Sequence, residues 1–331
     1  MAYGRFLLKR GLQGVLVVWG VVTVVFGLRF ITPGNPVNAV APLDASPELR
    51  QRIAEELGLN RPVYVQYADY IWELLHGDMG YSYISSIDAS TIVLSKLPAT
   101  LELAVASTVV AIVLSIPLGV VSATRRHEPA DYAATSFSLV GISTPNFWLG
   151  IMLVLLLSVE LNLFPTSGRA FGFYRSFELL FAEGVGAFWA AITGWLWHIA
   201  LPAVTLGTYF TALVTRLTRS GMLDELGKQY VRATRAKGLP ETLVRYRHAL
   251  KNTLIPVVTV LGLQMGTLIG GAVITEAVFS WPGLGTTLIN AINARDWPII
   301  QGTLIVIGVG FVLVNVLVDA LYAYLDPQVV E

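Results

Sequence analysis

This sequence has no cysteine and few charged residues. Its 331 residues include no cysteine, which excludes disulfide bonds and metal sites built on thiolates. Charged residues make up 13% of the chain, compared with roughly 25% in soluble domains. The formal net charge is zero, so there is no reason to expect a nucleic-acid partner. The histidines lack the spacing of metal ligands, and we expect no metal site; they are His76, His127, His198 and His248.

Long apolar runs take the place of the missing charges. The runs at 15–26, 104–121 and 304–318 lack the polar face of a surface helix. Runs of about 18 or more largely uncharged residues are long enough to cross a bilayer. The first run continues to Ile31, which is too long for the core of a signal peptide. The sequence therefore predicts an all-α polytopic membrane protein with about six transmembrane helices, at 10–31, 98–124, 132–160, 198–219, 254–276 and 299–323.

The distribution of Lys and Arg predicts the orientation. With the amino terminus inside, the inner connections carry about twice as many basic residues as the outer ones, as cytoplasmic loops do. Counting the Trp-rich segment 187–199 as a separate span would reverse this pattern, so we expect it to lie at the outer membrane interface. Both termini are then cytoplasmic in a multi-pass protein of the cell membrane.

This topology divides the chain into four parts. The ranges are 1–31 for the cytoplasmic amino terminus and first span, 32–97 for an extracytoplasmic region, 98–325 for a five-helix core with the cytoplasmic loop 217–253, and 326–331 for a cytoplasmic tail.

The cytoplasmic loop contains the most informative motif. It reads "YVRATRAKGLP" over residues 230–240. Gly238 can adopt the left-handed conformation that ends a helix, and Pro240 suits the first turn of the next helix. The pattern therefore predicts a helix, a tight break and a second helix. Small residues at Ala233 and Ala236 let another surface approach closely, although binding of lipid headgroups is an alternative for so basic a loop.

This loop resembles the EAA loop of binding-protein-dependent ABC importer permeases, which contacts the ATPase subunit. Arg232, Ala233 and Thr234 occupy the EAA positions. The acidic first residue is absent, and Lys251 stands where many relatives have proline; both departures suit the dipeptide, oligopeptide and nickel permeases. The resemblance implies a coupling role for Tyr230, Arg232, Ala233, Thr234, Ala236, Gly238, Leu239, His248 and Leu250.

Other segments resemble the same branch along nearly the whole chain. They are "LGLNRPVYVQY", "HGDMGYSY", "LPATLEL", "STPNFWLG", "EAVFSWPGLG" and "NVLVDALYAYLDP". The resemblance implies a type I ABC importer permease fold. It also implies a homologous second permease, two ATP-binding subunits and an extracytoplasmic solute-binding protein as partners.

The chain has no ATPase motif of its own. Gly227-Lys228 is the sequence's sole Gly-Lys pair, and it lacks the preceding glycine and following Ser or Thr of a Walker A loop. We therefore expect no catalytic residue and no cofactor bound directly, with ATP and Mg²⁺ used by the partner ATPase subunits.

Three acidic residues are candidates for the translocation pathway. Glu102 either serves a helix terminus or lines the outer cavity, Glu276 either caps or gates, and Asp319 either bonds to a neighbouring helix or contacts solute. Gly262, Gly266 and Gly270 form a ridge suited to helix packing, with a pore-lining role as the alternative. Arg29 is expected to reach the outer headgroups. The region 32–97 and the turn at 279–285 are candidate docking surfaces for the binding protein, with a re-entrant or interfacial turn as the alternative for 279–285.

The resemblance favours di- and oligopeptides as solutes. Nickel or oligosaccharides, taken up by the same machinery, are the alternatives. An ion-coupled secondary transporter is a more distant rival, because such proteins usually carry internal repeats and charged residues near the membrane midplane, and neither is evident here.

Overall fold

The described part of the computed structural model, residues 2–31, 37–42 and 44–325, consists of helices and the turns and loops between them, with one isolated β-bridge between Tyr81 and Asp88. The tail predicted at 326–331 lies outside these residues. The helices are α1 (Ala2–Ile31), α2 (Val37–Val40), α3 (Pro47–Glu56), α4 (Val63–Leu75), α5 (Ala89–Thr124), α6 (Pro129–Ser143), α7 (Asn146–Leu153, continued by a π-helical stretch Val154–Glu160), α8 (Phe173–Ala182), α9 (Val185–Gly227), α10 (Gln229–Ala236), α11 (Glu241–Leu243, continued by a π-helical stretch Val244–Ala249), α12 (Leu250–Gly271), α13 (Val273–Val278), α14 (Leu284–Ala294) and α15 (Trp297–Leu325).

The number of spans agrees with about six if each bent helix pair is one span. Four helices, α1, α5, α9 and α15, are each long and apolar enough to cross a membrane, and two bent helix pairs bring the number to as many as six. The third span bends by 106° between α6 and α7. Pro145 lies at this bend, and the residue before it, Thr144, is extended because a proline disfavours helical geometry in its predecessor. The fifth span bends by 48° at Pro256.

The Trp-rich segment 187–199 is not a separate element. It forms the first turns of α9, which continues without a break for 43 residues. A helix of that length measures about 65 Å, roughly twice the hydrocarbon thickness of a bilayer. Helix α9 therefore extends beyond the membrane, and its outer turns pack against α8 through Phe177 and Phe188, whose ring centroids are 5.2 Å apart.

The central core lies between α5 and α9. Leu103 and Val214 are fully buried there, and Trp281 from the turn after α13 joins the same apolar cluster. Because lipid offers no hydrophobic drive for helices to associate, close packing must supply this contact. The turn at 279–285 was a candidate docking surface, but its tryptophan is 0% exposed and belongs to the core.

The segment between α1 and α5 packs back onto the first span. Ser46 caps α3 as predicted, accepting a hydrogen bond from the backbone N–H of Leu49 at 3.3 Å. Helix α4 lies along the outer half of α1, where the hydroxyls of Thr23 and Tyr67 are 2.6 Å apart. Arg29 donates a hydrogen bond to Gln66 of α4. The expectation that Arg29 reaches the headgroups stays a prediction, and α4 supplies the side chain with a protein partner.

Both ends of the described chain and the predicted coupling loop lie at one end of the bundle. Tyr3 of α1 donates a hydrogen bond to the carbonyl of Ala320 in α15 at 3.1 Å. Helix α12 runs antiparallel to α15, so that Gly262 meets Val318 and Gly270 meets Ile307. The start of α12, where the loop ends, is thereby brought to the same end as Tyr3.

Candidate functional site: an elbow and three carboxylates

The loop motif folds as a helix, a tight turn and a second helix, which confirms the predicted pattern. Helix α10 ends at Ala236, and Gly238 has a φ of +75°, in the left-handed region that favours glycine. The backbone N–H of Gly238 donates to the carbonyl of Arg235 at 2.9 Å. Pro240 then precedes α11. We call residues 229–243 the elbow.

Helix α10 has one face buried against the bundle and one face exposed. Val231 is 0% exposed, and Tyr230 and Thr234 beside it are half-buried. The exposed face consists of Arg232, Ala233, Arg235 and Ala236. Two alanines beside two arginines give a surface that a neighbouring protein can approach closely and contact with acidic groups.

An ion-pair network holds the two arms of the elbow together. Arg235 of α10 donates two hydrogen bonds to Glu241 of α11, at 2.9 and 3.1 Å, and Arg245 donates a third at 3.1 Å. The hydrogen bonds to Glu241 raise the pKa of Arg235 above its usual value. Pairs this exposed stabilise a fold little, but the two-pronged Arg235–Glu241 contact fixes the angle between the arms.

Tyr230 points into the bundle rather than outward. Its hydroxyl donates to Glu225, at the end of α9, with an oxygen–oxygen distance of 2.5 Å, and accepts from Asn252 of α12 at 3.0 Å. Lys228 also donates to Glu225 at 2.5 Å. Burial, followed by the hydrogen bond to Glu225, raises the pKa of Tyr230, which keeps its phenol protonated at neutral pH.

The remaining predicted coupling residues divide between the turn and the bundle. Leu239 lies in the turn, where its backbone N–H donates to the carbonyl of Thr234 at 3.4 Å. His248 lies in the π-helical stretch after α11. Leu250 packs against an apolar cluster that includes Met222, and therefore faces the bundle.

Glu102 lies among several hydrogen-bond donors at the opposite end of the bundle. Arg169 donates to both of its carboxylate oxygens, at 2.7 and 3.1 Å. The indole N–H of Trp195 and the backbone N–H of Phe173, the first residue of α8, donate at 3.0 and 2.8 Å. The side chain is 11% exposed. This geometry favours the first of its two predicted roles, a partner for a helix terminus.

Glu276 is fully buried beneath the turn that follows α13. Thr100 of α5 donates to it at 2.7 Å, and the backbone N–H of Thr286, in the first turn of α14, donates at 3.1 Å. A carboxylate at a helix amino terminus satisfies free N–H groups and favours the helix dipole. In the same turn, the indole N–H of Trp281 donates to the carbonyl of Ala99 at 2.8 Å. The contacts of Glu276 are those of a cap.

Asp319 contacts the first span. It forms an ion pair with Arg10 of α1 at 3.2 Å. This is the contact with a neighbouring helix that the sequence favoured over contact with solute.

The glycine ridge also packs within the chain. Gly262 faces Val318 of α15, which leaves no room for a larger residue between the two helices. Gly266 faces Phe311, whose ring would lie 3.3 Å from a methyl group added at the glycine. Both contacts favour packing over pore lining.

Several of these groups could not be identified from the sequence. Glu225 and Asn252 lie 27 residues apart in sequence, and Arg169 lies 67 residues from Glu102. A further ion pair joins α6 to α9, in which Arg219 donates to Asp131 at 2.7 and 2.9 Å. One signal was available for this pair: an acidic residue in the first turn of a predicted span needs a partner.

Comparisons with known proteins identify the class to which the fold and elbow belong. Residues 115–331 match the family of binding-protein-dependent transport system inner membrane components, and residues 3–104 match the amino-terminal part of such membrane components. The chain belongs to this family. It is a multi-pass inner-membrane permease subunit of an ABC importer, as the resemblance of its motifs implied.

Three relatives match nearly end to end. The chain is 40% identical to the dipeptide transport system permease protein DppB of Escherichia coli (strain K12), covering 98% of both chains. It is 37% identical to the oligopeptide transport system permease protein AppB of Bacillus subtilis (strain 168), again covering 98% of both. With the di/tripeptide transport system permease protein DppB of Pseudomonas aeruginosa (strain UCBPP-PA14) it shares 39% identity over 94% of both.

A solved structure confirms the fold. The chain is similar to a chain of the MetNI methionine ABC transporter in its inward-facing form, with a TM-score of 0.53 and 16% identity. The match covers 71% of this chain and 96% of that chain. The predicted type I ABC importer permease fold is therefore correct.

Proposed function

We propose that this chain forms half of the transmembrane pathway of an ATP-driven importer that takes up di- and oligopeptides delivered by a solute-binding protein. The observation that carries the proposal is the elbow, whose exposed Arg–Ala face is held in a fixed geometry next to two spans. The relatives named for peptide transport support the choice of solute.

The proposed complex contains three further kinds of subunit. A homologous second permease completes the pathway, two ATP-binding subunits bind ATP and Mg²⁺ and hydrolyse the nucleotide, and a solute-binding protein delivers the peptide. Closure of the ATPase pair moves the elbow, and the elbow moves the spans that flank it. The pathway then opens alternately to each side, because nucleotide and solute stabilise different states.

The proposal requires the elbow to face the cytoplasm. The basic residues of α10 and of its flanks, together with Arg5, Lys9 and Arg10, lie at the end of the bundle that also holds both ends of the described chain. Cytoplasmic loops carry such an excess of Lys and Arg. We therefore assign this end, and both termini, to the cytoplasm.

The opposite end is proposed to receive the binding protein. The region 32–97 supplies an exposed surface there, with Tyr64 and Trp72 76% and 66% exposed on α4. Aromatic side chains contribute large contact areas at protein interfaces. The pathway roles predicted for Glu102, Glu276 and Asp319 remain predictions, since each carboxylate has a structural partner in this chain.

Reconstitution tests the proposal. The chain is co-expressed with its candidate second permease and ATP-binding subunits, purified as a complex, and placed in liposomes with the binding protein. We expect uptake of a labelled dipeptide that requires ATP, Mg²⁺ and the binding protein. Failure of the ATP-binding subunits to co-purify, or uptake driven by an ion gradient without ATP, would refute it.

A panel of solutes separates the alternatives for the substrate. The binding protein is titrated with di- and tripeptides, oligosaccharides and Ni²⁺, and each bound solute is then tested for uptake. We expect peptides to bind and to be transported. Binding and uptake of Ni²⁺ alone would overturn the peptide assignment but keep the importer; in the part of this chain that the structure describes, no group of three or more His, Asp or Glu residues is placed to hold a metal ion.

A further inference from the structure

Three chain segments meet at one carboxylate beside the elbow. Glu225 lies in the last turn of α9, Tyr230 in the first turn of α10, and Asn252 in the first turn of α12. The Glu225 side chain is 12% exposed. It accepts hydrogen bonds from Tyr230 at 2.5 Å and from Asn252 at 3.4 Å, and an ion pair with Lys228 at 2.5 Å completes its contacts. We call Glu225, Tyr230 and Asn252 the joint.

The hydrogen bonds of the joint form a closed triangle. A phenol has one proton to donate, and Tyr230 gives it to Glu225. The amide of Asn252 has two protons, and it reaches both the phenol oxygen, at 3.0 Å, and Glu225. Each corner is thus bonded to the other two. The carboxylate is the one charged corner, and hydrogen bonds to a charged acceptor are stronger than neutral ones.

The joint lies on the half-buried face of α10, opposite the exposed face that an ATP-binding subunit would contact. The exposed face of α10 carries Arg232 and Ala233, while Tyr230 lies on the half-buried face. A force on the exposed face must therefore pass through the buried face to reach the spans. Apolar contacts such as that of Val231 allow sliding, whereas the directional bonds of the joint do not.

We propose that Glu225 is a positioning residue that makes α10 move as one body with the inner ends of the fourth and fifth spans. This inference rests on the proposed function, because it assigns to Glu225 the transfer of ATPase movement into the pathway. Without the charged carboxylate, Tyr230 and Asn252 still tie α10 to α12, but the hydrogen bonds that tie both helices to α9 are weakened. ATP hydrolysis then continues, but the fourth span completes only part of its movement.

The test measures transport per ATP in the reconstituted complex. Glu225→Gln keeps the size of the side chain and removes its charge, and Tyr230→Phe removes one oxygen and leaves the carboxylate. Glu128→Gln is the matched control, because Glu128 is an exposed carboxylate in the other connection at this end. We expect each joint variant to lower the peptide-to-ATP ratio about tenfold, the effect of weakening one hydrogen bond to a charged group, and the control to leave it unchanged.

A second readout separates coupling from stability. Hydrogen exchange is followed at the amides of 231–236, and we expect it to accelerate in both joint variants while complex yield and basal ATPase activity stay at the wild-type level. The double variant should be no worse than the more severe single one, since both break the same triangle.

The outcomes are distinct. If the peptide-to-ATP ratio of Glu225→Gln and Tyr230→Phe equals that of the wild type, the inference is overturned and the importer function stays intact. Absence of ATP-driven uptake in the wild type overturns the proposed function instead. If Glu225→Gln does not assemble, Tyr230→Phe decides the matter alone, because loss of one hydroxyl at a half-buried position leaves the packing of α10 in place.

Discussion

The Glu102–Arg169 ion pair offers the sharpest test of how the outer end of the bundle is held. The side chains are 11% and 19% exposed, and Glu102 accepts four hydrogen bonds in all. Arg169→Met leaves a largely buried carboxylate with two of its four donors, and Glu102→Gln leaves a buried guanidinium without its counter-charge. Each change should cost about 2–4 kcal/mol of unfolding free energy, somewhat below the value for a fully buried pair.

The double variant distinguishes a structural role of Glu102 from a role in the translocation pathway. In Glu102→Gln with Arg169→Met, the glutamine oxygen can still accept from Phe173 or from Trp195, which donate to different oxygens of Glu102, and no charge remains to be compensated. We expect its cost to be only about 1–2 kcal/mol, so that the two single effects are strongly non-additive. Peptide uptake should recover together with stability if Glu102 is a structural partner.

Denaturant titration in detergent and uptake in liposomes measure the two quantities. The exposed pair Arg175–Glu178, with side chains 63% and 37% exposed, provides the matched control, and neutralising it should cost less than about 0.5 kcal/mol. Additive single effects would refute the argument that burial sets the cost. Recovered stability with uptake still lost would assign Glu102 to the pathway instead.

Three further predictions follow from single positions. Gly262→Val should place its side chain against Val318 and destabilise the packing of α12 on α15 by about 1–3 kcal/mol, with Val318→Ala restoring denaturant resistance in the double variant. Gly238→Val should reduce ATP-driven uptake, because a β-branched residue is strained at a φ of +75°, whereas Gly238→Asn, which tolerates this conformation, should retain it. Hydrogen bonds from neighbouring side chains hold the pKa of Asp88, the amino-terminal cap of α5, below its usual value. Its stabilisation is therefore present above the unfolded-state value, near 3.9, and is lost as pH falls through the lower folded value, so Asp88→Asn should flatten the loss of stability below about pH 4 in an acid titration.

The spans and the elbow were predictable because each is encoded locally. A run of apolar residues determines a span wherever its neighbours lie, and the Gly238–Pro240 spacing ends one helix and begins another without help from the rest of the fold. The orientation is also encoded locally, because the Lys and Arg residues of the connections can be counted along the chain, and it stays a prediction.

The partners of the polar residues were not predictable from the sequence. Arg29 lies next to a predicted membrane end, where reaching the headgroups is the usual behaviour, but α4 folds back to offer Gln66. Trp281 follows a predicted span and carries the signature of an interfacial turn, yet it is buried against α5. These outcomes depend on contacts between residues far apart in sequence, which hydropathy and turn patterns do not specify.

Helix α9 connects the two polar ends of the molecule. Trp195 contacts Glu102 at the outer end, and Glu225 contacts the elbow at the inner end. The roughly 30 residues between them span about 45 Å of continuous helix, and the Arg219–Asp131 pair attaches the third span along the way. A helix held by hydrogen bonds at both ends cannot move at one end without straining the other. If the elbow moves during nucleotide binding, the contacts of Glu102 must therefore either move with it or break, which makes the outer ion pair a reporter for events at the cytoplasmic joint.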